Sequence, residues 1–215
     1  MAQRKQPQAT KHPQVTRGAD WQRQARPANA PRWSLDETSG RVCELSGQGA
    51  TARLSAALKT VREAQARGEP VAWITARTST FFPPDAATCG IDLAALPVVF
   101  VGGAQEALRS AERLARSGGF GLLVIDLSDL GERVPAALQS RLAGLAQGHE
   151  LSVICLTEKP PEEASLGPLV NLRAQAVRRD YGPGGFGCRV EAVKDKRRAK
   201  TWSDEDVRRG PVGLR

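Results

Sequence analysis

Residues 47–54 read GQGATARL, and they lie between a short apolar run at 42–45 (VCEL) and a segment with helical spacing of apolar residues. A strand, a glycine-rich loop and a helix in this order are typical of a phosphate-binding P-loop, whose pattern is GxxxxGK[ST]. Gly47 takes the first position of that pattern. The positions of its second glycine, its lysine and its hydroxyl residue hold Ala52, Arg53 and Leu54. The frame of the loop is therefore present, while its chemistry is altered.

Apolar runs and helical patterns alternate on both sides of this loop. The runs predict strands at 42–45, 71–75, 97–101, 122–127 and 151–156, and the periodicity predicts helices at 53–67, 104–117 and 134–147, with a short one at 85–89. Five short strands alternating with helices predict a mostly parallel sheet covered on both faces. Beyond Gly167, strands at 172–180 and 186–194 predict an antiparallel hairpin at the sheet edge.

The charge of the chain is concentrated at its two ends. The 215 residues carry a net charge of +8, with +4 on residues 1–39, −2 on 40–172 and +6 on 173–215. We therefore predict a flexible basic arm at 1–37, an α/β domain at 38–195 and a basic tail at 196–215. Basic ends favour a nucleic acid or an acidic protein surface as partner, and the alternative is that they serve solubility alone.

The composition also argues against several classes of protein. No apolar run approaches the ~20 residues needed to cross a membrane, and the first residues lack the apolar region of a secretory signal. We therefore expect a cytoplasmic protein without a membrane partner. The four cysteines are far apart in sequence and only two histidines occur, so neither a metal site nor a disulfide framework is expected.

The chain resembles the RecA ATPase core over about residues 38–200. The stretch 40–47 (GRVCELSG) is similar to the RecA segment that leads into its P-loop, and Leu122–Asp126 stands where that family has its Walker B strand. The final hairpin, with Val190, Val193, Lys194 and Lys196, is similar to the closing strands of the family. The resemblance implies an α/β fold with a RecA-like central, mostly parallel sheet flanked by helices and a C-terminal antiparallel hairpin.

The same resemblance locates the positions that serve catalysis in RecA. The P-loop lysine corresponds to Arg53, the magnesium-binding hydroxyl to Leu54, and the activating glutamate to Arg77. Thr157 and Glu158 stand where the family has an Asn-Gln pair, and Asp126 alone is retained. We therefore expect no catalytic residue and no bound ATP or magnesium. The remnant of a nucleotide site would comprise Gly47, Gly49, Thr51, Arg53 and Asp126.

The two loops that hold single-stranded DNA in RecA are also altered. The first corresponds to residues 128–135 and is short. The second, 157–167, carries Glu158, Glu162 and Glu163 against a single lysine, Lys159. Since an acidic loop repels phosphates, DNA binding through these loops is not expected.

A RecA-like fold without these sites most resembles the ImuA branch, which is related to the SulA division inhibitors. That resemblance implies a non-catalytic accessory role in damage-induced (SOS) translesion synthesis, with RecA and an ImuB-like polymerase-related protein as partners. Two alternatives stay open, namely a weak DNA-dependent ATPase and a SulA-like inhibitor of cell division.

Two sets of residues are candidates for contacts with partners. Trp21 and Trp33 lie in the polar arm, where an isolated tryptophan often anchors a docked segment. The second set combines basic side chains with an aromatic one in the tail, as single-strand binding requires, and comprises Lys194, Lys196, Arg197, Arg198, Lys200 and Trp202. The alternatives for the tail are a solvated segment or a polymerase-docking peptide.

Overall fold

The helices and strands alternate along the chain as the sequence predicts. A computed structural model describes residues 30–49, 51–79, 81–130, 135–181, 185–198 and 201–209. The helices are α1 (Leu35–Thr38), α2 (Arg53–Ala66), α3 (Pro83–Thr88), α4 (Ala104–Arg116) and α5 (Ala136–Gly148). The strands are β1 (Val42–Ser46), β2 (Val71–Ala76), β3 (Val98–Val101), β4 (Leu122–Asp126), β5 (Ser152–Thr157), β6 (Leu172–Asp180), β7 (Gly185–Asp195) and β8 (Ser203–Arg209).

The strands form one eight-stranded sheet in the order β3-β2-β4-β5-β1-β6-β7-β8. Strands β1 to β6 run parallel to one another, whereas β7 pairs antiparallel with both β6 and β8. Strands β1, β2, β4 and β5 are buried along their whole length, because helices cover both faces of this part of the sheet. The predicted fold class, an α/β sheet with a C-terminal antiparallel hairpin, is confirmed.

Two hydrophobic cores lie on opposite faces of the sheet. One joins α2 to side chains such as Cys43, Trp73 and Val124, and the other joins α4 and α5 to side chains such as Ile74 and Ile125. Successive residues of a strand point to opposite faces, so Trp73 and Ile74 enter different cores. The uninterrupted apolar runs follow from this three-layer arrangement.

The C-terminal segment differs from the sequence-based expectation. The predicted basic tail, 196–215, is corrected at Ser203–Arg209, because these residues pair with β7 and make β8 the edge strand. The β6–β7 hairpin therefore lies one strand inside the edge at which it was predicted. The sequence of β8, SDEDVRR, contains a single apolar residue and so lacks the alternation that reveals a strand. Charged side chains are usual on edge strands, which they protect from further pairing.

The end of the predicted arm is also part of the fold. Trp33 is buried within the core beside α2, and its backbone N–H donates to Asp204 Oδ2 of β8 at 3.2 Å. Leu35 is buried as well and begins helix α1. Trp33 thus packs within the domain, which was the alternative to a docking anchor at this position, while Trp21 lies outside the described residues.

In the part of the chain that the structure describes, no helix has the length and apolarity needed to cross a membrane.

Candidate functional site: the altered phosphate-binding loop

The altered loop lies at the carboxyl edge of the sheet. Strand β1 leads into it at Gly47, and the neighbouring β5 and β4 end at Thr157 and Asp126. In open α/β sheets, ligands bind in the crevice outside these ends. The fold thus brings the remnant of the P-loop, the end of the Walker B-like strand and the acidic loop to one edge.

Backbone and hydroxyl groups tie the loop to its neighbours. The Gly47 N–H donates to the Thr157 carbonyl at 3.3 Å. The Thr51 hydroxyl donates to the Ala176 carbonyl of β6 at 2.8 Å and accepts the Arg53 N–H at 3.2 Å. These contacts use groups that a phosphate-binding loop would turn towards its ligand.

Gly47 is needed for close packing, and we expect Gly47→Ala to lower the free energy of unfolding by about 1–3 kcal/mol. An added Cβ would lie 2.2 Å from Thr51 Oγ1 and 2.9 Å from the Ala176 carbonyl oxygen, which belongs to a paired strand. Urea unfolding followed by circular dichroism measures the change.

Gly144→Ala is the matched control for this substitution. An added Cβ at Gly144, inside α5, meets nothing within 4 Å. Because alanine favours a helix over glycine, we expect a gain of roughly 0.5–1 kcal/mol. Equal effects of the two substitutions would contradict the steric role of Gly47.

Arg53, which replaces the P-loop lysine, is held by contacts within the chain. Its Nη1 donates to Ser128 Oγ at 3.1 Å, and its Nη2 lies 3.6 Å from Glu158 Oε2. The guanidinium group therefore connects the start of α2 to the segments after β4 and β5. The planar guanidinium directs its donors along fixed directions towards two groups, whereas a lysine ammonium is a compact point charge.

The other residues at the positions of a nucleotide site either contact the chain itself or pack away from the crevice. The retained Asp126 is buried, and its Oδ1 accepts the Ser128 N–H at 3.1 Å. Leu54, at the magnesium-binding position, packs against the core instead of facing the crevice. Gly49 has a φ of +64°, a conformation that glycine adopts without strain. A cavity of about 150 Å³ beside Gln48 and Thr51 is smaller than the ~300–1,000 Å³ of typical ligand pockets.

Beneath this edge lies a buried ionic network that sequence reasoning missed. Glu44, in the middle of β1, is fully buried. Its Oε1 accepts from Lys159 Nζ at 2.8 Å and from the Thr157 hydroxyl at 3.1 Å, while its Oε2 accepts the Leu166 N–H at 2.9 Å. Arg173 Nε lies 4.0 Å from the same carboxylate. The signal was a glutamate inside an otherwise apolar run.

The network fixes the acidic loop, 157–167, to the sheet. The Arg173 side chain of β6 donates to the Pro160 carbonyl at 2.7 Å and to the Glu163 carbonyl. Gln175 Nε2 donates to the Lys159 carbonyl at 3.4 Å, and Ser46 Oγ donates to Gln175 Oε1 at 2.8 Å. This loop is therefore held in place without any nucleotide.

Most described residues of the predicted tail contact the domain itself. Arg198 Nη2 donates to Glu37 Oε2 at 2.8 Å, Arg197 Nη2 to the Ser39 carbonyl at 2.7 Å, and Lys196 Nζ to the Pro168 carbonyl. Lys194 is half-buried on β7, and Lys200 lies outside the described residues. These side chains lie at the edge of the sheet where β1 and β6 begin, whereas the altered loop lies at the opposite edge, where β1 ends.

Asp195 is the centre of this C-terminal cluster. It accepts hydrogen bonds from Arg41 Nη2, from Trp202 Nε1 at 2.9 Å and from the Arg197 N–H at 2.9 Å. Burial by itself would raise the pKa of the Asp195 carboxyl, but the hydrogen bonds from Trp202, Arg41 and Arg197 lower that pKa below its ordinary value.

Because its folded pKa is lowered, Asp195 stabilises the fold above its unfolded pKa, which is about 3.9. That contribution is lost as the pH falls through the folded value, since the unfolded chain binds the proton more readily. We expect Asp195→Asn to be less stable than the native chain at pH 7, with a difference that narrows towards pH 3. Urea unfolding at a series of pH values measures it.

Asp129→Asn, at an exposed position, controls for the loss of a negative charge. The difference in the free energy of unfolding between Asp129→Asn and the native chain should stay constant over this pH range. A difference between Asp195→Asn and the native chain that widens towards acid pH would refute the role given to Asp195.

Three of the four cysteines, Cys43, Cys155 and Cys188, are buried. Burial raises the pKa of the Cys43 thiol to about 12. Within the described residues, no group of three or more His, Cys, Asp or Glu side chains is arranged to hold a metal ion.

Comparison with known proteins supports the RecA-like assignment of the fold. No protein-family model matches the chain. Among curated proteins, Protein RecA of Agrobacterium fabrum is 30% identical over 118 residues, which cover 50% of this chain and 32% of that one. The chain spans about a third of the length of this relative. The order of strands and helices and this similarity support a RecA-like fold in which the phosphate-binding loop is altered.

Proposed function

We propose that this chain is a non-catalytic RecA-like accessory protein of the DNA-damage response, of the ImuA type. The observation that carries the proposal is the position of Arg53, whose guanidinium group joins Ser128 to Glu158 at the nucleotide edge. An internal contact there makes a bound phosphate unnecessary for joining these segments. The protein then acts by binding partners and not by turning over ATP.

The surroundings of Arg53 support the same proposal. Leu54 offers no oxygen to a magnesium ion, and Arg77, exposed after β2, cannot act as a base. The acidic loop, 157–167, is fixed by Glu44 and Arg173, so it does not depend on a γ-phosphate for its order. We expect such a RecA-like domain to keep the same conformation whether or not ATP is present.

The proposed partners are RecA and an ImuB-like polymerase-related protein. A domain that shares the fold of a RecA subunit can occupy a subunit interface without following the ATP cycle. Binding at a filament end would restrain recombination and favour error-prone translesion synthesis. A single strand of DNA bound by the basic C-terminal residues would hold the protein near its partners.

Binding and turnover assays on the purified full chain test the proposal. We expect saturable binding to RecA or to the ImuB-like protein, with no binding to the division protein FtsZ, and ATP hydrolysis at background level with or without single-stranded DNA. Binding to FtsZ alone would favour the SulA-like alternative. DNA-stimulated hydrolysis that Asp126→Ala abolishes would establish the weak ATPase instead.

A further inference from the structure

Four arginine side chains line a groove between α4 and α5. It has a volume of about 490 Å³ and is lined by Arg109, Arg113 and Arg116 from α4 and Arg141 from α5. All four side chains are exposed. None belongs to the altered loop, the acidic loop or the C-terminal cluster.

The spacing on α4 places three of these arginines along one face. Arg109, Arg113 and Arg116 are four and three residues apart, which puts them on the same side of a helix. At a rise of 1.5 Å per residue, the first and last are separated by about 10 Å along the axis. Three guanidinium groups thus follow one another over roughly two turns.

A buried glutamate arranges the far end of the groove. Glu112 Oε1 accepts from Arg116 Nη2 at 2.8 Å and from Arg141 Nη1 at 3.4 Å, so it draws two guanidinium groups from different helices together. With the other described residues, Arg109 and Arg113 form neither a hydrogen bond nor an ion pair. No acceptor within the described residues therefore occupies their donors.

The lining indicates which acceptor fits. Pro135, Ala137 and Leu138 give the groove an apolar side, while the described residues that line it include neither an aromatic side chain nor a lysine. Single-stranded nucleic acid is held by bases stacked on aromatic rings, which this groove does not offer. The planar fork of arginine matches a carboxylate with two parallel hydrogen bonds.

We propose that this arginine groove binds an acidic amphipathic segment of a partner protein. Carboxylates of that segment pair with Arg109 and Arg113, and its apolar side chains lie on Pro135 and Ala137, which are both exposed. Four arginines against a single glutamate give the groove itself a net positive charge, which favours the approach of an acidic partner. The inference does not depend on whether the protein binds ATP or RecA.

Selection from a displayed library of random 15-residue peptides on the purified full chain tests the proposal. We expect enriched peptides to carry several Asp or Glu residues at helical spacing beside apolar ones. In fluorescence anisotropy, Arg109→Glu with Arg113→Glu should weaken binding of the enriched peptides by about tenfold or more. The charge-neutral pair Arg109→Gln with Arg113→Gln should also weaken binding of the enriched peptides. Circular dichroism shows whether each variant is folded.

Arg62→Glu with Arg77→Glu is the matched control, since both arginines are exposed and lie outside the groove. Affinity should change by no more than about twofold in this control, because its charges act on the groove only through screened solvent. Peptides without an acidic bias, no enrichment, or equal losses in both charge reversals would overturn the proposal. So would a labelled 20-residue oligothymidine that binds through Arg109 and Arg113 and displaces the peptides.

Discussion

Glu44→Gln is expected to lower the free energy of unfolding by about 3–5 kcal/mol, because it removes the carboxylate that pairs with a buried lysine. Lys159 Nζ lies 2.8 Å from the Glu44 carboxylate, and both side chains are almost completely shielded from water. A neutral amide keeps the shape of the glutamate but cannot balance the lysine. Urea unfolding followed by circular dichroism measures the loss.

Two further variants separate the ionic contribution from a general effect of substitution. Glu162→Gln removes an exposed carboxylate from the same acidic loop and should change the stability by less than about 0.5 kcal/mol. Glu44→Gln combined with Lys159→Met removes both charges of the closest pair and should recover much of the loss. A double variant as unstable as Glu44→Gln alone would show that the lysine is not the unbalanced charge.

This network marks where sequence reasoning about the strands succeeded and where it stopped. The runs VAWIT and LLVIDL predicted β2 and β4 correctly, because strands covered on both faces must be apolar throughout. The same reasoning should have singled out Glu44, which interrupts such a run. Its partners come from β5, the following loop and β6, and only the three-dimensional order of the strands brings them together.

The altered loop illustrates the same distinction. The sequence located Gly47, Arg53 and Asp126 at the correct ends of their elements. It could not assign Ser128 and Glu158 as the partners of Arg53, since these follow β4 and β5, which come close to the start of α2 only in the folded sheet. The residues at the P-loop positions predicted the loss of the ATP-binding groups, and the structure shows the contacts of Arg53 within the chain.

The ends of the domain were harder to predict because their stabilising contacts are not periodic. Strand β8 contains Asp204, a residue that usually argues against burial, yet its carboxylate accepts the Trp33 N–H and lies 3.4 Å from Lys59 Nζ. The residues around Trp33 and those around Asp204 in β8 are mostly polar. Neither segment has an apolar pattern of its own, and the contacts that hold each in place come from segments distant in sequence.

Trp33→Ala is therefore expected to destabilise the domain by about 3–5 kcal/mol, the usual loss for a large aromatic side chain removed from a core. Only 1% of the Trp33 side chain is exposed, and it packs with α2 and the face of the sheet. The cavity would also loosen the backbone at position 33, whose N–H donates to Asp204 of β8. The amides of β8 should therefore lose part of their protection from hydrogen exchange. Urea unfolding gives the free energy, and hydrogen exchange of the β8 amides reports the local effect.

Phe82→Ala is the control, since Phe82 is also aromatic but 58% exposed. It should change the stability by no more than about 0.5 kcal/mol. A partner anchor in a flexible arm would give the opposite pattern for Trp33, with unchanged stability and weakened binding. Because the substitution acts on folding and not directly on recognition, any loss of partner binding in Trp33→Ala should parallel the unfolded fraction and disappear at temperatures where the variant is fully folded.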